Sequence, residues 1–258
     1  MKGLNISIGT SSQHDSSNGW SSLITPDVAW RFNSHFSADA TVPIYTYINV
    51  QQNKGTKARP VYVFANEKFT PGDAALNSHY ETSFNLLDYN LTATLGLPSG
   101  SQDDGLGAGQ VTYNFNNHFE RAFGIISPDV EIGLGDSSQL VGDRVRKSYT
   151  AVGTLAHFQA GASIALTHNM NFEAEAYEEL PLDAGTVYST TGRGKKKVTT
   201  SAHTGGTEDN GFLNTLDIPL NGHVVVSGFY NRSLRSKIDT AGFSLTFLLR
   251  SPPADVVR

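Results

Sequence analysis

The sequence contains no cysteine and little charge, and these absences exclude several kinds of protein. Without cysteine there are no disulfide bonds, no thiol catalysis and no thiolate metal sites. The net charge of −5 and the 17% of charged residues provide no basic stripe for nucleic-acid binding. No run approaches the ~18 consecutive apolar residues that a membrane-spanning helix needs. Any membrane-spanning element must therefore be a strand.

The start of the chain, from Met1 to Ile6, has neither the apolar region nor the small-residue cleavage site of a secretory signal. Two interpretations stay open: a cytosolic protein, or a mature exported protein to which a start methionine has been added. The pattern of the remaining sequence has to separate them.

Alternation of apolar and polar residues with period two recurs along the chain and extends further than an ordinary strand requires. Between Phe36 and Val50 one row of side chains carries no charge, and similar rows begin at Ile24, Tyr89 and Ile126. Strands of soluble proteins average about 5 to 6 residues, whereas a tilted strand needs about 9 to 11 residues to cross a bilayer. The pattern therefore predicts membrane-spanning strands with one lipid-facing row.

Twelve such strands are predicted, and their connections alternate between long polar loops and short turns. An even strand number, with both chain ends on the short-turn side, is the layout of a bacterial outer-membrane barrel. We therefore predict an all-β, twelve-stranded antiparallel up-and-down transmembrane β-barrel with short periplasmic turns and long extracellular loops. It would form a single domain over residues 1–258, with 251–258 as a periplasmic tail. The predicted strands cover residues 3–10, 21–33, 35–50, 72–83, 87–98, 106–117, 119–134, 148–166, 170–180, 211–221, 223–234 and 239–250.

Two local features lead to predictions about turns and bulges. Three Asn-x-His segments, which begin at Asn33, Asn116 and Asn221, are predicted to be tight type I′ hairpin turns, because asparagine tolerates positive φ. Pro26 and Pro128 share a Pro-Asp-Val context. Because proline removes a donor from the strand ladder, we predict β-bulges at these two positions.

Aromatic residues near strand ends are expected to form the two interfacial girdles of a membrane barrel. The alternative is a soluble β-sandwich or propeller, in which the same residues would fill an ordinary core. The long uncharged rows favour the barrel, and the 38% of hydrophobic residues are too few for a separate core. The girdle candidates are Trp30, Phe32, Phe36, Phe115, Phe119, Phe212, Tyr230 and Phe243.

Three glycine-rich segments carry a resemblance to a known family. They run from Gly72 to Tyr80, from Leu95 to Gly100 and from Gly105 to Gln110. They are similar to segments of the phenol-degradation-pathway (MetA-pathway) family of outer-membrane transporters, most closely over residues 70–135. The resemblance implies an outer-membrane barrel that passes small, aromatic solutes. The chain departs from the family pattern at its end, where residues 250–258 follow the last strand in place of a terminal aromatic residue.

The charged residues of the predicted strands fall on the row expected to face the lumen, and nearly all of them are acidic. Such a lumen is wet or internally salt-bridged, because unpaired charges are costly in a dry interior. A wet lumen would favour cations over anions, as rings of carboxylates do. The alternative is a closed lumen in which the acids pair with Arg31, Arg121 and Arg232. The predicted lumen residues are Asp27, Arg31, Asp39, Asn49, Glu81, Asn90, Asp129, Glu131, Glu173, Glu175 and Asp217.

The sequence does not support a catalytic or metal site. His35 and Ser37 with Asn49 could suggest an esterase, but Ser37 and Asn49 would lie ~40 Å apart on one strand at ~3.3 Å per residue. The eight histidines are dispersed and lack zinc-site spacing. The glycine-rich segment 105–109 precedes no predicted helix, so it is interpreted as a barrel strand rather than a phosphate-binding loop. We therefore expect no catalytic residue, no metal and no cofactor.

Two long loops are candidates for a lid over the barrel mouth. One covers residues 51–71, and the other, between the ninth and tenth strands, is predicted to project as a β-hairpin. The second loop carries a basic run that could contact anionic lipopolysaccharide, although a solvated turn is the simpler interpretation. The basic residues are Arg193, Lys195, Lys196 and Lys197.

These patterns lead to three functional hypotheses. The first is passive diffusion of a small solute, aromatic or cationic, through a narrow acidic lumen, since twelve strands enclose a space between that of a filled eight-stranded barrel and an open sixteen-stranded porin. The second is a non-conducting structural or surface-interaction barrel, and the third is a soluble all-β binding protein. The expected partners are outer-membrane lipid, lipopolysaccharide and a small solute, with no nucleic acid, and a monomer is favoured.

Overall fold

The regular structure in the described part of the chain consists of β-strands. A computed structural model describes residues 2–53, 59, 61–85, 87–100, 106–136, 150–166, 170–183, 185–191, 198–204 and 208–250. Among these residues no helix is long and apolar enough to cross a membrane. The basic run at 193–197 and the tail at 251–258 lie outside the described residues.

Eighteen strands follow one another along the described chain, and every pairing between them is antiparallel. They are β1 (Gly3–Asp15), β2 (Gly19–Arg31), β3 (Phe36–Thr41), β4 (Ile44–Asn53), β5 (Tyr62–Glu67), β6 (Thr70–Pro71), β7 (Ala74–Phe84), β8 (Leu87–Leu97), β9 (Thr112–Glu120), β10 (Ile126–Asp136), β11 (Thr150–Val152), β12 (Thr154–Ala165), β13 (Asn171–Pro181), β14 (Gly185–Thr191), β15 (Val198–Thr204), β16 (Asp209–Asn221), β17 (Val224–Ser233) and β18 (Asp239–Arg250).

Fifteen of these strands form one sheet that closes on itself. β1 pairs with β2 on one side and with β18 on the other, which joins the first strand to the last. β3 and β4 both pair with β2 and occupy one position in the wall, and β5, β6 and β7 share the next position. The wall therefore has twelve positions, and the predicted twelve-stranded antiparallel barrel is confirmed. Closure pairs the two strands that would otherwise be exposed edges.

The remaining three strands form a small sheet in the long connections. β14 pairs with β15 in a hairpin, and β11 pairs with β14. The hairpin predicted between the ninth and tenth barrel strands is thus confirmed.

Burial in the barrel is the reverse of that in a soluble protein. On β10, Val130 and Ile132 are 45% and 44% exposed, whereas Asp129 on the same strand is 5% exposed. Elsewhere in the described wall, large apolar side chains such as Val28, Leu95 and Phe247 are exposed, and polar ones such as Ser21, Glu175 and Asn231 are buried. Exposed large apolar residues are unusual in such number on a soluble protein. An apolar outer face around a polar interior is the arrangement of a barrel that stands in lipid.

Aromatic rings form a belt on the outer face near the short turns. Phe36, Tyr80, Tyr89 and Phe119 lie on four neighbouring wall positions, and successive ring centroids are 4.9, 6.3 and 5.0 Å apart. At the end with the long loops, Phe212 and Tyr230 form a similar pair, with centroids 6.0 Å apart. Aromatic girdles at two levels are typical of membrane barrels. We refer to these two ends as the short-turn end and the long-loop end.

The prediction of bulges at Pro26 and Pro128 is wrong. The register is continuous through Pro26, which lies opposite Ile8, and through Pro128, which lies opposite Ala162. On its other side Pro26 faces the interruption between β3 and β4, and Pro128 lies beyond the end of β9. Neither proline therefore removes a ladder hydrogen bond that a neighbour could have made.

Two of the three predicted Asn-x-His segments form turns, and the third does not. The predicted type I′ is wrong for both turns, because neither Asn33 nor Asn221 has a positive φ. The Asn33 carboxamide oxygen accepts hydrogen bonds from the backbone N–H groups of His35 and Phe36, at 2.8 and 2.9 Å. Asn221 accepts one from His223 in the same way, at 2.8 Å. The segment at Asn116 instead lies within β9, and the turn follows Glu120. His118 lies on the inner row beside Glu131, whereas Asn117 accepts a hydrogen bond from Tyr89 of the outer belt. A polar wall strand can therefore have the same composition as a turn.

Two predicted loops are also shorter than expected. The loop predicted from residue 11 to 20 is a turn of three residues, because β1 continues to Asp15 and β2 begins at Gly19. The predicted lid at 51–71 contains β5 and β6, which pair with β4 and extend the wall at the long-loop end.

Candidate functional site

The structure places the charged lumen candidates in two groups on opposite parts of the wall. The first group lies on β2, β3 and β7, and the second lies on β10, β13 and β16. Asn90 on β8 lies directly opposite Glu81 and joins the first group. The first group contains Asp27, Arg31, Asp39 and Glu81, and the second contains Asp129, Glu131, Glu173, Glu175 and Asp217.

Three of the four members of the first group are paired. The fourth, Asp27, accepts a hydrogen bond from Ser7 at 3.2 Å, and its other carboxylate oxygen is buried without a partner. An Asp39 carboxylate oxygen lies 2.6 Å from His79 Nε2, and the other accepts a hydrogen bond from Asn77 at 2.6 Å. Arg31 and Glu81 form an ion pair with an N···O distance of 2.5 Å, and both side chains are more than 40% exposed. An exposed ion pair contributes only about 0–1 kcal/mol to the free energy of unfolding. We therefore assign this pair little weight in stabilising the barrel.

The second group is richer in unpaired acid. Glu131 lies 3.9 Å from His118 and 3.8 Å from His157, distances at which a charged contact is long. Asp217 accepts a hydrogen bond from Ser227 at 2.5 Å. Asp129 is buried, and neither of its carboxylate oxygens has a hydrogen-bond partner. The acidic character of the lumen is therefore concentrated on this side of the barrel.

Two of the three arginines suggested as lumen counter-ions have other contacts. Arg232 pairs with Asp239 at 2.7 Å near the long-loop end. Arg121 lies over the ring of Phe123, 4.6 Å from its centroid, beside a short turn. Among the three, Arg31 is the one that contacts a predicted lumen carboxylate. The arginine pairing that would close the lumen is thus not formed in the described part of the chain.

Asn49 lies apart from both groups. Its amide nitrogen donates to the carbonyl of Asn18 at 3.1 Å, and its carboxamide oxygen accepts from the Tyr47 hydroxyl at 3.2 Å. These contacts place it at the long-loop end, where it joins β4 to the turn between β1 and β2. It therefore lies outside the acidic lumen groups.

A segment before β9 packs against the inner face of the wall through Leu106. The segment 106–111 is not a strand, so the prediction of a barrel strand starting at residue 106 is wrong. Leu106 is 7% exposed and packs on Ile48, which lies opposite the buried Ser21 on the inner face of β4. This is the apolar cluster of the described residues, and it lies in the lumen.

Asp73 holds this segment in place. Its carboxylate accepts hydrogen bonds from the backbone N–H of Gly100 at 2.8 Å and from that of Ala108 at 2.6 Å. Glycine is required for the close approach, because a Cβ on Gly100 would overlap the Leu106 carbonyl oxygen, and one on Gly107 would lie 2.7 Å from Asp73. We call Asp73, Gly100 and residues 106–108 the Asp73 knot.

The Asp73 knot joins the three segments that carry the family resemblance. Gly72 and Asp73, Ser99 and Gly100, and residues 106–108 meet at one place, although they are separate in sequence. Sequence reasoning identified these glycines but interpreted the last segment as wall. Gly105, Gly107 and Gly109 recur with the period of a strand, which favoured the wall, although glycine in a strand pattern also marks close backbone approach.

The chain is similar to solved structures of outer-membrane channels. No family model and no curated protein matches it. The COG4313 outer membrane channel from Pseudomonas putida F1 has a TM-score of 0.58 and 11% identity, over 96% of both chains. The KdgM porin has a TM-score of 0.55 and 9% identity, over 95% of this chain and 99% of that one. The NanC porin has a TM-score of 0.55 and 8% identity, over 93% of this chain and 98% of that one.

At these identities the likeness shows the fold, a porin-like barrel whose length matches nearly the whole chain. Membership of the phenol-degradation-pathway family, which the glycine-rich segments implied, is not confirmed by these matches. The chemistry of the lumen has to be argued from the side chains of this chain.

Proposed function

We propose that the protein is an outer-membrane channel through which a small solute diffuses passively. One observation carries the proposal: a closed barrel with an apolar outer face surrounds a lumen lined by charged and amide side chains. Charged groups are not retained inside a dry, filled barrel without partners, so this lumen suits water and a polar solute. The similarity to two porins and one channel supports the same conclusion.

We further propose that the lumen selects small cations. Eight of the nine charged lumen candidates are acidic, and the second group lacks a paired arginine in the described residues. Rows of carboxylates raise the local concentration of cations and repel anions. The inward segment 106–111 restricts the passage and therefore the solute size. A preference for aromatic solutes rests only on the family resemblance.

The proposed environment follows from the outer face. The apolar belt would stand in outer-membrane lipid, with the long-loop end towards lipopolysaccharide and the short-turn end towards the periplasm. Each copy has a complete, closed wall, so we expect a monomer to conduct.

The test is single-channel recording of the full chain refolded into a planar bilayer, with a KCl gradient and EDTA on both sides. We expect discrete steps with a reversal potential on the cation-selective side. The double variant Glu173→Gln and Glu175→Gln should shift this potential towards zero, because it removes two lumen charges while keeping side-chain size. EDTA ensures that a bound metal does not contribute.

A matched double variant, Glu208→Gln and Asp239→Asn, removes two acids from exposed ion pairs with Arg235 and Arg232 at the long-loop end. It should leave the reversal potential unchanged. An inserted, folded protein that shows no conductance would favour the non-conducting structural barrel. Anion-selective steps would refute the proposed selectivity while leaving the channel itself intact.

A further inference from the structure

Three carboxylates of the second lumen group lie closer together than unpaired anions would stay. Asp129 on β10 and Glu173 and Glu175 on β13 each place a carboxylate oxygen within 4.8 Å of the other two. Asp129 is 5% exposed, and both of its carboxylate oxygens lack a hydrogen-bond donor. A buried carboxylate without a donor or counter-ion is strongly unfavourable. The three acids, which we call the carboxylate triad, therefore need either shared protons or a positively charged ligand.

Gly161 allows the carboxylate triad to form. β12 separates β10 from β13, and Gly161 lies directly opposite both Asp129 and Glu175. Its missing side chain leaves the inner surface of β12 open, so that acids from two non-adjacent strands meet above it. A Cβ at this position would overlap the carbonyl oxygen of Ala174 and lie 2.7 Å from Cγ of Glu175.

Neighbouring cationic groups have partners outside the carboxylate triad. Arg31 lies on the opposite side of the barrel, where it pairs with Glu81. The imidazoles of His118 and His157 both lie beside Glu131, at 3.9 and 3.8 Å. In the described part of the chain, no side-chain ion pair to the three acids is formed.

We propose that Asp129, Glu173 and Glu175 bind a divalent cation of the size of Ca²⁺. Ca²⁺ takes oxygen ligands at about 2.3–2.6 Å, so two oxygens on the same ion lie up to about 5 Å apart, which fits the spacing of the carboxylate triad. One Ca²⁺ neutralises two of the three negative charges. Glu173 is partly exposed to the lumen and provides the path of entry, and water completes the coordination shell. Binding does not depend on whether the lumen conducts.

The test is Ca²⁺ binding by the full chain, refolded into detergent micelles in the absence of lipopolysaccharide, which itself binds divalent cations. Titration calorimetry with CaCl₂ should give one ion per chain with a dissociation constant of about 10⁻³ M or tighter, the range of extracellular calcium modules. The thermal unfolding midpoint should rise with CaCl₂ and return when EDTA is added.

Asp129→Asn should weaken binding at least tenfold and abolish the Ca²⁺-dependent rise. In EDTA the same variant should unfold at a higher temperature than the native protein, because one of three repelling charges is gone. Glu173→Gln, at the partly exposed member, provides a second variant if Asp129→Asn does not fold. Glu131→Gln is the matched control: it lies two residues from Asp129 on the same inner row, outside the carboxylate triad, and should retain binding.

Either of two results would overturn the proposal. The first is a native protein that takes up no Ca²⁺ at millimolar concentration, which would mean that the three carboxyl groups share protons instead. The second is equal Ca²⁺ uptake by the native protein and both triad variants, which would place the ion elsewhere. Neither result bears on conductance in EDTA, so the channel proposal stands or falls separately.

Discussion

Individual glycines on the inner face decide where large polar side chains can lie. The imidazole of His157 covers Gly133, the ring of Tyr177 covers Gly211, and Glu175 leans over Gly161. In each case a side chain from one strand lies flat over a glycine of its neighbour. Glycine normally weakens a strand, but here it makes room for a side chain that would otherwise project across the lumen.

The substitution Gly211→Ala tests this role. A Cβ there would overlap the carbonyl oxygen of Arg232 and lie 2.7 Å from the Tyr177 hydroxyl oxygen. Because backbone has to move, we expect a loss of about 1–3 kcal/mol in the free energy of unfolding, the usual cost of overpacking. Urea unfolding in lipid vesicles, followed by tryptophan fluorescence, measures it.

Gly222→Ala is the matched control for this prediction, since a Cβ at Gly222 has nothing within 4 Å. It should change the free energy of unfolding by less than about 0.5 kcal/mol, as surface substitutions do. Equal effects of the two variants would mean that backbone flexibility, and not the space above Gly211, determines the loss.

At the scale of elements, the Asp73 knot fixes a non-strand segment inside a β-barrel. Regular strands satisfy their own backbone groups, but the segment 106–111 leaves the ladder and needs other acceptors. Asp73 supplies two of them, and the packing of Leu106 on Ile48 supplies apolar contact. The position of this segment therefore depends largely on one carboxylate.

Asp73→Ala should release the segment and widen the passage. Hydrogen bonds to a charged acceptor contribute about 1.5–3 kcal/mol each, and two are lost together. We expect larger single-channel steps with more frequent switching between levels, recorded in planar bilayers.

Asp88→Ala serves as the control for charge, because Asp88 is also an acid but accepts its hydrogen bond from Ser83 at the short-turn end, at 2.5 Å. Its conductance steps should match those of the native protein. If Asp73→Ala also conducts with native steps, the segment 106–111 does not limit the passage.

At the scale of the whole molecule, the outer face of the barrel is apolar and therefore suited to contact with lipid. Exposed Leu, Val, Ile and Phe side chains cover the described wall strands, and aromatic rings lie towards both ends. A charge on this face should be tolerated near the ends and penalised in the middle, because only the middle of the bilayer lacks water.

Ile132→Arg places a charge halfway along β10, on the outer face. We expect it to lower the free energy of unfolding in vesicles by about 2–4 kcal/mol, whereas Leu234→Arg, in the turn after β17, should cost only about 0–1 kcal/mol. Reversible guanidinium unfolding of both variants checks the difference. Equal small costs would indicate that the barrel does not span the bilayer at this level.

The sequence by itself determined the number of wall strands and the apolar outer face. It determined the alternation of long and short connections only in part, because the first predicted long loop is a turn of three residues. These features are local, because a strand directs successive side chains to opposite faces. A long uncharged row can therefore be recognised without knowing any partner. The hairpin between β13 and β16 was predicted on the same basis.

The tertiary structure alone decided the Asp73 knot and the carboxylate triad. Asp73 meets Ala108 across 35 positions, and Asp129 meets Glu175 only because the intervening strand carries glycine at position 161. Register between non-adjacent strands has no local signature. The Asn116 segment shows the same limit, since asparagine and histidine serve a turn or a polar lumen equally well, and only the pairing of β9 with β8 and β10 distinguishes the two.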